Sequence, residues 1–182
     1  VVCMTAHRRE NLGKPLQDIC TAVKEIANKN KEYRVIDGTY RIAPYAFCNE
    51  SYQTYLESVI LPSSLQYIGD CAFKGCRSIT NVVIPDSVTC IGYAAFSGCR
   101  NLQSMTLPFT GNKIEPSAGE STKFGYIFGE EPYTGGIKIA TNYYIPSNLI
   151  EIVVTKNIGE WVFYGCSSLT SVTIGNSVTS IG

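Results

Sequence analysis

The segment Ile79-Thr80-Asn81-Val82-Val83-Ile84-Pro85-Asp86-Ser87-Val88 returns in altered form as Leu169-Thr170-Ser171-Val172-Thr173-Ile174-Gly175-Asn176-Ser177-Val178. The two copies share the pattern L-x-x-V-x-I-x-x-S-V, where L is any large aliphatic residue and x is any residue. An apolar side chain at every second position is typical of a β-strand with one buried face. The chain therefore contains a repeated unit, and this repeat determines the fold that we predict.

The unit continues with the pattern I-G-x-x-A-F-x-G-C, and the step from Phe73 to Phe96 gives it a period of about 23 residues. Three apolar columns follow the strand: Leu56, Ile79, Leu102, Leu149 and Leu169; Val59, Val82, Met105, Ile152 and Val172; Leu61, Ile84, Leu107, Val154 and Ile174. Two further columns follow the turn: Ile42, Ile68, Ile91, Ile158 and Ile181; Phe47, Phe73, Phe96 and Phe163. The columns predict equivalent positions in successive coils.

A single coil of this size buries too few side chains to offset the conformational entropy lost on ordering it. Stacked coils bury each column against its neighbours, which is how repeat proteins become stable. We therefore predict an α/β solenoid with one parallel strand per coil, and with short helical turns ended by glycine at the A-F-x-G-C segment.

Two features interrupt the repeat. An insertion spans about residues 109–144 and contains the segments 123–129 and 132–136, which are rich in aromatic residues and glycine. The last coil stops at residue 182, where an A-F-x-G-C segment would follow. We expect an unfinished coil to leave an apolar edge exposed, as in a fragment of a longer array.

The composition excludes several classes of protein. Fifteen basic and fifteen acidic residues give a net charge of zero, which excludes nucleic-acid binding driven by bulk charge. A hydrophobic content of 45% with 16% charged residues argues against disorder. The sequence has no apolar run long enough to cross a membrane as a helix.

The eight cysteines resemble a disulfide set, but Cys76, Cys99 and Cys166 each follow a glycine at one phase of the repeat. This placement favours buried free thiols over a disulfide or redox site, since an unpaired cysteine packs as a small hydrophobe. No pair has the C-x-x-C spacing and His7 is the one histidine, so we expect no zinc site, no other metal and no cofactor.

Residues 37–182 resemble the BspA-like leucine-rich repeat proteins, through segments such as 84–89 and 163–174 and through the insertion segment 124–129. Pro62, Pro85, Pro108 or Gly175 replaces the asparagine that longer leucine-rich repeats carry after the strand, which is typical of this class. The resemblance implies a non-catalytic bacterial protein at the cell surface or secreted. It also implies adhesion to extracellular or host proteins or glycans.

Residues 1–36 resemble part of the non-hydrolysing UDP-N-acetylglucosamine 2-epimerases, through the T-x-H-R-R-E-N loop and the helical stripe that follows it. The resemblance places His7, Arg8 and Glu10 at a UDP-sugar site and implies a cytoplasmic isomerase. Epimerisation needs acid and base groups on both faces of the sugar and a cleft between two domains, so we expect this piece to be inactive alone. A join near residues 33–37 follows from the two resemblances.

The candidate ligand-binding residues lie outward on the strands and in the insertion. The outward strand columns and the insertion aromatics together supply Ile60, Val83, Thr106, Val153, Thr173, Asn81, Ser104, Phe124, Tyr126 and Phe128. A weakly charged surface of β-branched and hydroxyl side chains suits contact with protein or glycan, and aromatic side chains often concentrate binding energy. Two alternatives remain open: the strand residues reflect strand propensity alone, or the aromatics pack on the flank of the solenoid.

Overall fold

The computed structural model describes residues 31–48, 56–113, 123–139 and 142–178, which form eleven short strands and one turn of 3-10 helix. The strands are β1 Glu32–Arg34, β2 Arg41–Ile42, β3 Ser58–Ile60, β4 Tyr67–Ile68, β5 Asn81–Val83, β6 Cys90–Ile91, β7 Ser104–Phe109, β8 Gly136–Lys138, β9 Tyr144–Pro146, β10 Glu151–Asn157 and β11 Ser171–Ile174. The 3-10 turn is Phe124–Ile127. The strand-loop-helix fragment predicted for residues 1–36 lies outside the described residues, except for its last six.

The predicted parallel strands are confirmed. Strands β5, β7, β10 and β11 form one parallel sheet whose register aligns Val82, Met105, Ile152 and Val172, as the repeat columns require. Strands β1 and β3 form a separate parallel pair with Tyr33 opposite Val59. The inward side chains of β1, β3, β5, β7 and β10 belong to a single apolar core, whereas Val172 of the terminal strand β11 is 41% exposed.

Each of three coils contains a second short strand, where one strand per coil was predicted. Strands β2, β4 and β6 form another parallel sheet, in which Ile42, Ile68 and Ile91 point into the core. The coil is therefore lined by two sheets on different faces, joined through the P-x-S-V turn.

The predicted helical turns at the A-F-x-G-C segments are not confirmed. The amide of Phe73 donates to the carbonyl of Ala95 in the next coil at 2.7 Å, and the amide of Phe96 donates to the carbonyl of Ile127 at 2.8 Å. Cys71 and Ala94 adopt positive φ values of 52° and 54°, which an α-helix does not accommodate. Other amides bond within the segment, as that of Lys74 does to the carbonyl of Cys71 at 3.1 Å, so these segments are tight turns that also bond to the neighbouring coil.

The phenylalanine column is a ring stack over three coils. Phe47 and Phe73 lie with ring centroids 5.0 Å apart, and Phe73 and Phe96 with centroids 5.2 Å apart, nearly parallel in both cases. Phe163 was expected in the same column, but its ring contacts Phe124 of the insertion at 5.3 Å, edge to face. The insertion thus supplies the layer that packs against the last described turn.

Part of the insertion completes a coil. Its 3-10 turn presents the carbonyls of Tyr126 and Ile127 to the amides of Ala94 and Phe96, as successive coils do elsewhere. Near its end, strands β8 and β9 form an antiparallel hairpin. The insertion therefore continues the solenoid and carries one added hairpin.

The I-G glycines stand where neighbouring coils approach most closely. A Cβ atom added at Gly92 would collide with the backbone of Asp70, and one added at Gly69 would collide with the backbone of Pro44. Real Cβ atoms cannot share that space, so the close approach of the coils at this corner requires glycine at both positions.

The six described cysteines form no disulfide with one another, as their placement in the repeat predicts. The thiol of Cys76 donates to the carbonyl of Phe47, and the thiol of Cys99 donates to the carbonyl of Phe73, both at 3.3 Å. The repeated cysteine thus satisfies a buried carbonyl of the preceding coil. Burial raises the pKa of the Cys99 thiol to about 12, which keeps it protonated at neutral pH.

Candidate binding surface

The register of the main sheet brings the predicted outward residues into two rows. Val83, Thr106, Val153 and Thr173 are aligned across β5, β7, β10 and β11. Asn81, Ser104, Glu151 and Ser171 form the parallel row beside them. Adjacent parallel strands lie about 4.8 Å apart, so each row extends about 14 Å along the solenoid. We call these two rows the strand face.

Ile60 lies apart from these hydrogen-bonded rows. It is half-buried in β3 and stands opposite Arg34 of β1 in the two-stranded sheet. Ile60 is therefore not part of the hydrogen-bonded rows formed by the other predicted strand residues.

The strand face is exposed, weakly charged and rich in hydroxyl groups. Val83 is 54% exposed and Thr173 is exposed, whereas Thr106 and Val153 are half-buried. Glu151 is the one ionisable side chain in the two rows. Such a surface can offer hydrogen bonds from hydroxyl and amide groups together with methyl contacts, which suits non-covalent recognition.

The insertion aromatics lie mostly in the core. Phe124 and Phe128 have no exposed surface, and their rings contact each other edge to face with centroids 5.2 Å apart. Tyr126 is half-buried and packs edge to face on Tyr93 at 5.3 Å. Phe124 and Phe128 are therefore packing residues that a ligand cannot reach in this conformation, which is the alternative that the sequence left open.

In the described parts of the chain, no group of three or more His, Cys, Asp and Glu side chains could hold a metal ion. His7, Arg8 and Glu10, which resemble UDP-sugar-binding residues, lie outside the described residues.

Four exposed aromatic residues of the described chain were not singled out from the sequence: Tyr40, Tyr45, Trp161 and Tyr164. Trp161 is 74% exposed and packs edge to face on Tyr164, with ring centroids 6.1 Å apart. Trp161 and Tyr45 occupy the turn position at which Cys71 and Ala94 are buried in the coils between them. A comparison of the residues two positions before each column phenylalanine would have identified both.

Parallel coils of about 23 residues, with a strand and an I-G corner in each, define a leucine-rich repeat solenoid. The family described as "BspA type Leucine rich repeat region" matches residues 27–131 and 137–182 in six copies. The chain belongs to this family.

Two solved structures support the fold. A leucine-rich repeat protein from Bacteroides ovatus is 31% identical, with a TM-score of 0.51, over 85% of this chain and 33% of the other. A leucine-rich repeat protein from Eubacterium ventriosum is 21% identical, with a TM-score of 0.52, over 82% of this chain and 34% of the other. The chain spans about a third of the length of each structure.

A short stretch also matches a different kind of protein. Over 36 residues the chain is 47% identical to a Clostridium acetobutylicum protein to which UDP-N-acetylglucosamine 2-epimerase activity is provisionally assigned. The match covers 20% of this chain and 9% of that protein.

The described residues include no helix that is long and apolar enough to span a membrane.

Proposed function

We propose that this chain is part of a non-catalytic cell-surface or secreted repeat protein that binds extracellular or host proteins or glycans through its strand face. The proposal rests on the alignment of Val83, Thr106, Val153 and Thr173 in one outward row of the main sheet. Side chains from four separate coils reach one partner there, so affinity can accumulate over a rigid surface without any loop having to become ordered.

The uneven exposure of the row also supports binding. Val83 is an apolar side chain that remains 54% exposed, and Ile150 beside β10 is 46% exposed. When a partner covers such apolar groups, their transfer out of water is favourable and contributes to the free energy of binding. The neighbouring polar row of Asn81, Ser104 and Ser171 can supply the hydrogen bonds of a rim.

The test is binding of the purified chain to immobilised extracellular-matrix proteins and to a glycan array. We expect saturable binding that the double variant Thr106→Arg/Val153→Arg weakens at least about tenfold, because two long cations would hold the partner away from the sheet. Thr134→Arg/Ser167→Arg adds the same charge at exposed positions off the strand face. Equal binding by both double variants, or no saturable binding at all, would contradict the proposal.

A surface location has its own test. Intact cells of the source organism are treated with a protease, and the repeat is then detected with an antibody. We expect the protease to remove the signal from intact cells. Protection until the cells are lysed would contradict a surface location.

A second candidate is a truncated UDP-N-acetylglucosamine 2-epimerase, supported by the 47% identity over 36 residues. The chain spans only 9% of that relative, so we propose that this piece is inactive alone. Titration calorimetry with UDP-N-acetylglucosamine tests it: micromolar binding that His7→Ala removes would favour the enzyme. Failure in both this assay and the binding assay above would favour a structural spacer.

A further inference from the structure

The second sheet carries an outward row of unusual composition. Arg41, Tyr67 and Cys90 are aligned on β2, β4 and β6, each directly before a buried isoleucine of the core. Lys113 bridges to Cys90 and extends the row by one position. The row therefore has a cation at each end, with a tyrosine and a half-buried thiol between them. We call it the second face.

Arg41 is already ordered for recognition. Its guanidinium lies over the ring of Tyr67, 4.1 Å from the centroid. An arginine that stacks on an aromatic ring can still use the N–H groups at the edge of its guanidinium to bind a carboxylate with two hydrogen bonds. Less side-chain entropy is then lost when a ligand binds.

More tyrosines border this row. Tyr93 and Tyr126 pack edge to face at 5.3 Å and are both half-buried. Burial, followed by the charge of Asp70, raises the pKa of Tyr126, so its hydroxyl stays protonated and can donate a hydrogen bond. Tyrosine and arginine together are the residues most enriched where binding energy is concentrated.

The charges of the second face favour an anion. Arg41 and Lys113 are exposed, and within the described parts of the chain neither forms a salt bridge. Asp70 is the acidic group beside them, and one of its carboxylate oxygens accepts a hydrogen bond from the amide of Tyr93 at 2.8 Å. Among the described residues, this face thus sets two cations against the single carboxylate of Asp70.

We propose that the second face binds an extended acidic segment of a partner protein, separately from the strand face. Four positions at about 4.8 Å per strand place the backbones of Arg41 and Lys113 about 14 Å apart along the solenoid. In an extended peptide, side chains two or four residues apart share a side and are separated by about 7 or 13 Å. Carboxylates on one side of such a peptide can pair with both cations, while the intervening residues pass beside the stacked Arg41–Tyr67 pair.

Two cations and one carboxylate are too few for a polyanion that binds by counterion release, which needs many phosphate contacts. A stacked arginine between ordered tyrosines instead suits one or two carboxylates on a short segment. The acidic peptide is therefore the ligand that the face fits best, and an anionic glycan is the alternative that the experiment must separate from it.

The experiment uses the full chain and a fluorescein-labelled ten-residue peptide of alternating Glu and Ser, with fluorescence anisotropy as the readout. We expect saturable binding that weakens with added salt, and no binding of the Gln/Ser or Lys/Ser peptides. Arg41→Ala/Lys113→Ala is expected to weaken binding by about tenfold or more. Arg100→Ala/Lys138→Ala removes the same charge from exposed positions elsewhere and serves as the matched control.

Tyr67 supplies a second and independent comparison. Tyr67→Phe keeps the ring beneath Arg41 and is expected to bind the peptide within about threefold of the parent chain, whereas Tyr67→Leu should weaken binding clearly. The proposal would be overturned if the peptide did not bind at all. It would also be overturned if Arg41→Ala/Lys113→Ala and Arg100→Ala/Lys138→Ala lowered the affinity for the peptide equally. Tighter binding of heparin than of the peptide, with the same dependence on Arg41 and Lys113, would overturn the choice of a protein ligand.

Discussion

Phe73 and Phe96 are about one repeat apart in sequence, and their rings lie nearly parallel with centroids 5.2 Å apart. Both rings are wholly buried, and the thiol of Cys99 bonds the carbonyl of Phe73 from the same neighbouring coil. The phenylalanine of the repeat therefore contributes a ring contact between two coils. The cysteine of the repeat contributes a buried hydrogen bond to the same interface. The stability of each coil depends on the coil beside it.

Replacing Phe96 should test this dependence. Phe96→Ala removes a fully buried ring between two coils, and we expect a loss of about 3–5 kcal/mol in the free energy of unfolding. Phe163→Ala is the comparison, because Phe163 is only half-buried and should cost clearly less. Urea unfolding followed by circular dichroism measures both, and equal losses would contradict the packing described here.

The corner glycines allow a matched pair of variants. Gly92→Ala places a Cβ atom against the backbone of Asp70, so we expect a loss of about 1–3 kcal/mol. Gly159 occupies the same I-G position in a later coil, but a Cβ there would lie 3.3 Å from a side-chain methyl of Val162. Thermal unfolding should show that the free energy of unfolding of Gly159→Ala lies within about 1 kcal/mol of the value for the parent chain. A larger loss for Gly159→Ala than for Gly92→Ala would refute the proposed close approach.

The left-handed turn at Trp161 is testable through its backbone. Trp161 has a φ of 56° and is largely exposed, so its side chain contributes little packing. Asparagine tolerates this conformation better than most residues, and a β-branched residue tolerates it poorly. We expect Trp161→Asn to keep or raise stability and Trp161→Val to lower it by about 1 kcal/mol. Differential scanning fluorimetry would show the reverse order if the turn were not left-handed.

The buried thiol of Cys99 predicts a loss of stability in alkali. Its pKa rises from 9.0 to about 12 on burial, so the unfolded chain loses this proton at lower pH than the folded chain. The contribution is fully present below about pH 9 and is lost as the pH rises toward 12, with a slope of about 1.4 kcal/mol per pH unit. Cys99→Ala should make the pH dependence of urea unfolding shallower by that amount. An unchanged slope would show that the thiol already ionises in the folded state.

Much of the fold could be predicted from the sequence because the strand columns are strict. In each strand, buried and outward side chains alternate about the column residue, which is Val82, Met105 or Ile152. This alternation fixes both the strand and its register, since a shift by one residue would turn every inward side chain outward. The conformation of the A-F-x-G-C turns could not be predicted from the sequence. A short segment that ends in glycine resembles a helical turn until the hydrogen-bond partners of its amides are known. Those partners, the carbonyls of Ala95 and Ile127, lie in other coils.

The candidate site was predictable only in part. The positions Val83, Thr106 and Val153 follow from strand alternation, which also gives their outward direction. Phe124 and Phe128 carry no such periodic signal, so the sequence could not tell an exposed aromatic insertion from one that fills a coil. The structure places both in the core, because the insertion itself continues the solenoid.

The most direct test of the stacked coils is a nuclear Overhauser measurement on a chain with isotope-labelled phenylalanine rings. Stacked coils predict cross-peaks between the rings of Phe47 and Phe73 and between those of Phe73 and Phe96, but none between Phe47 and Phe96. The ring of Phe163 should show a cross-peak to Phe124 instead. Rings of Phe73 and Phe96 that each contact other residues and never one another would contradict the account.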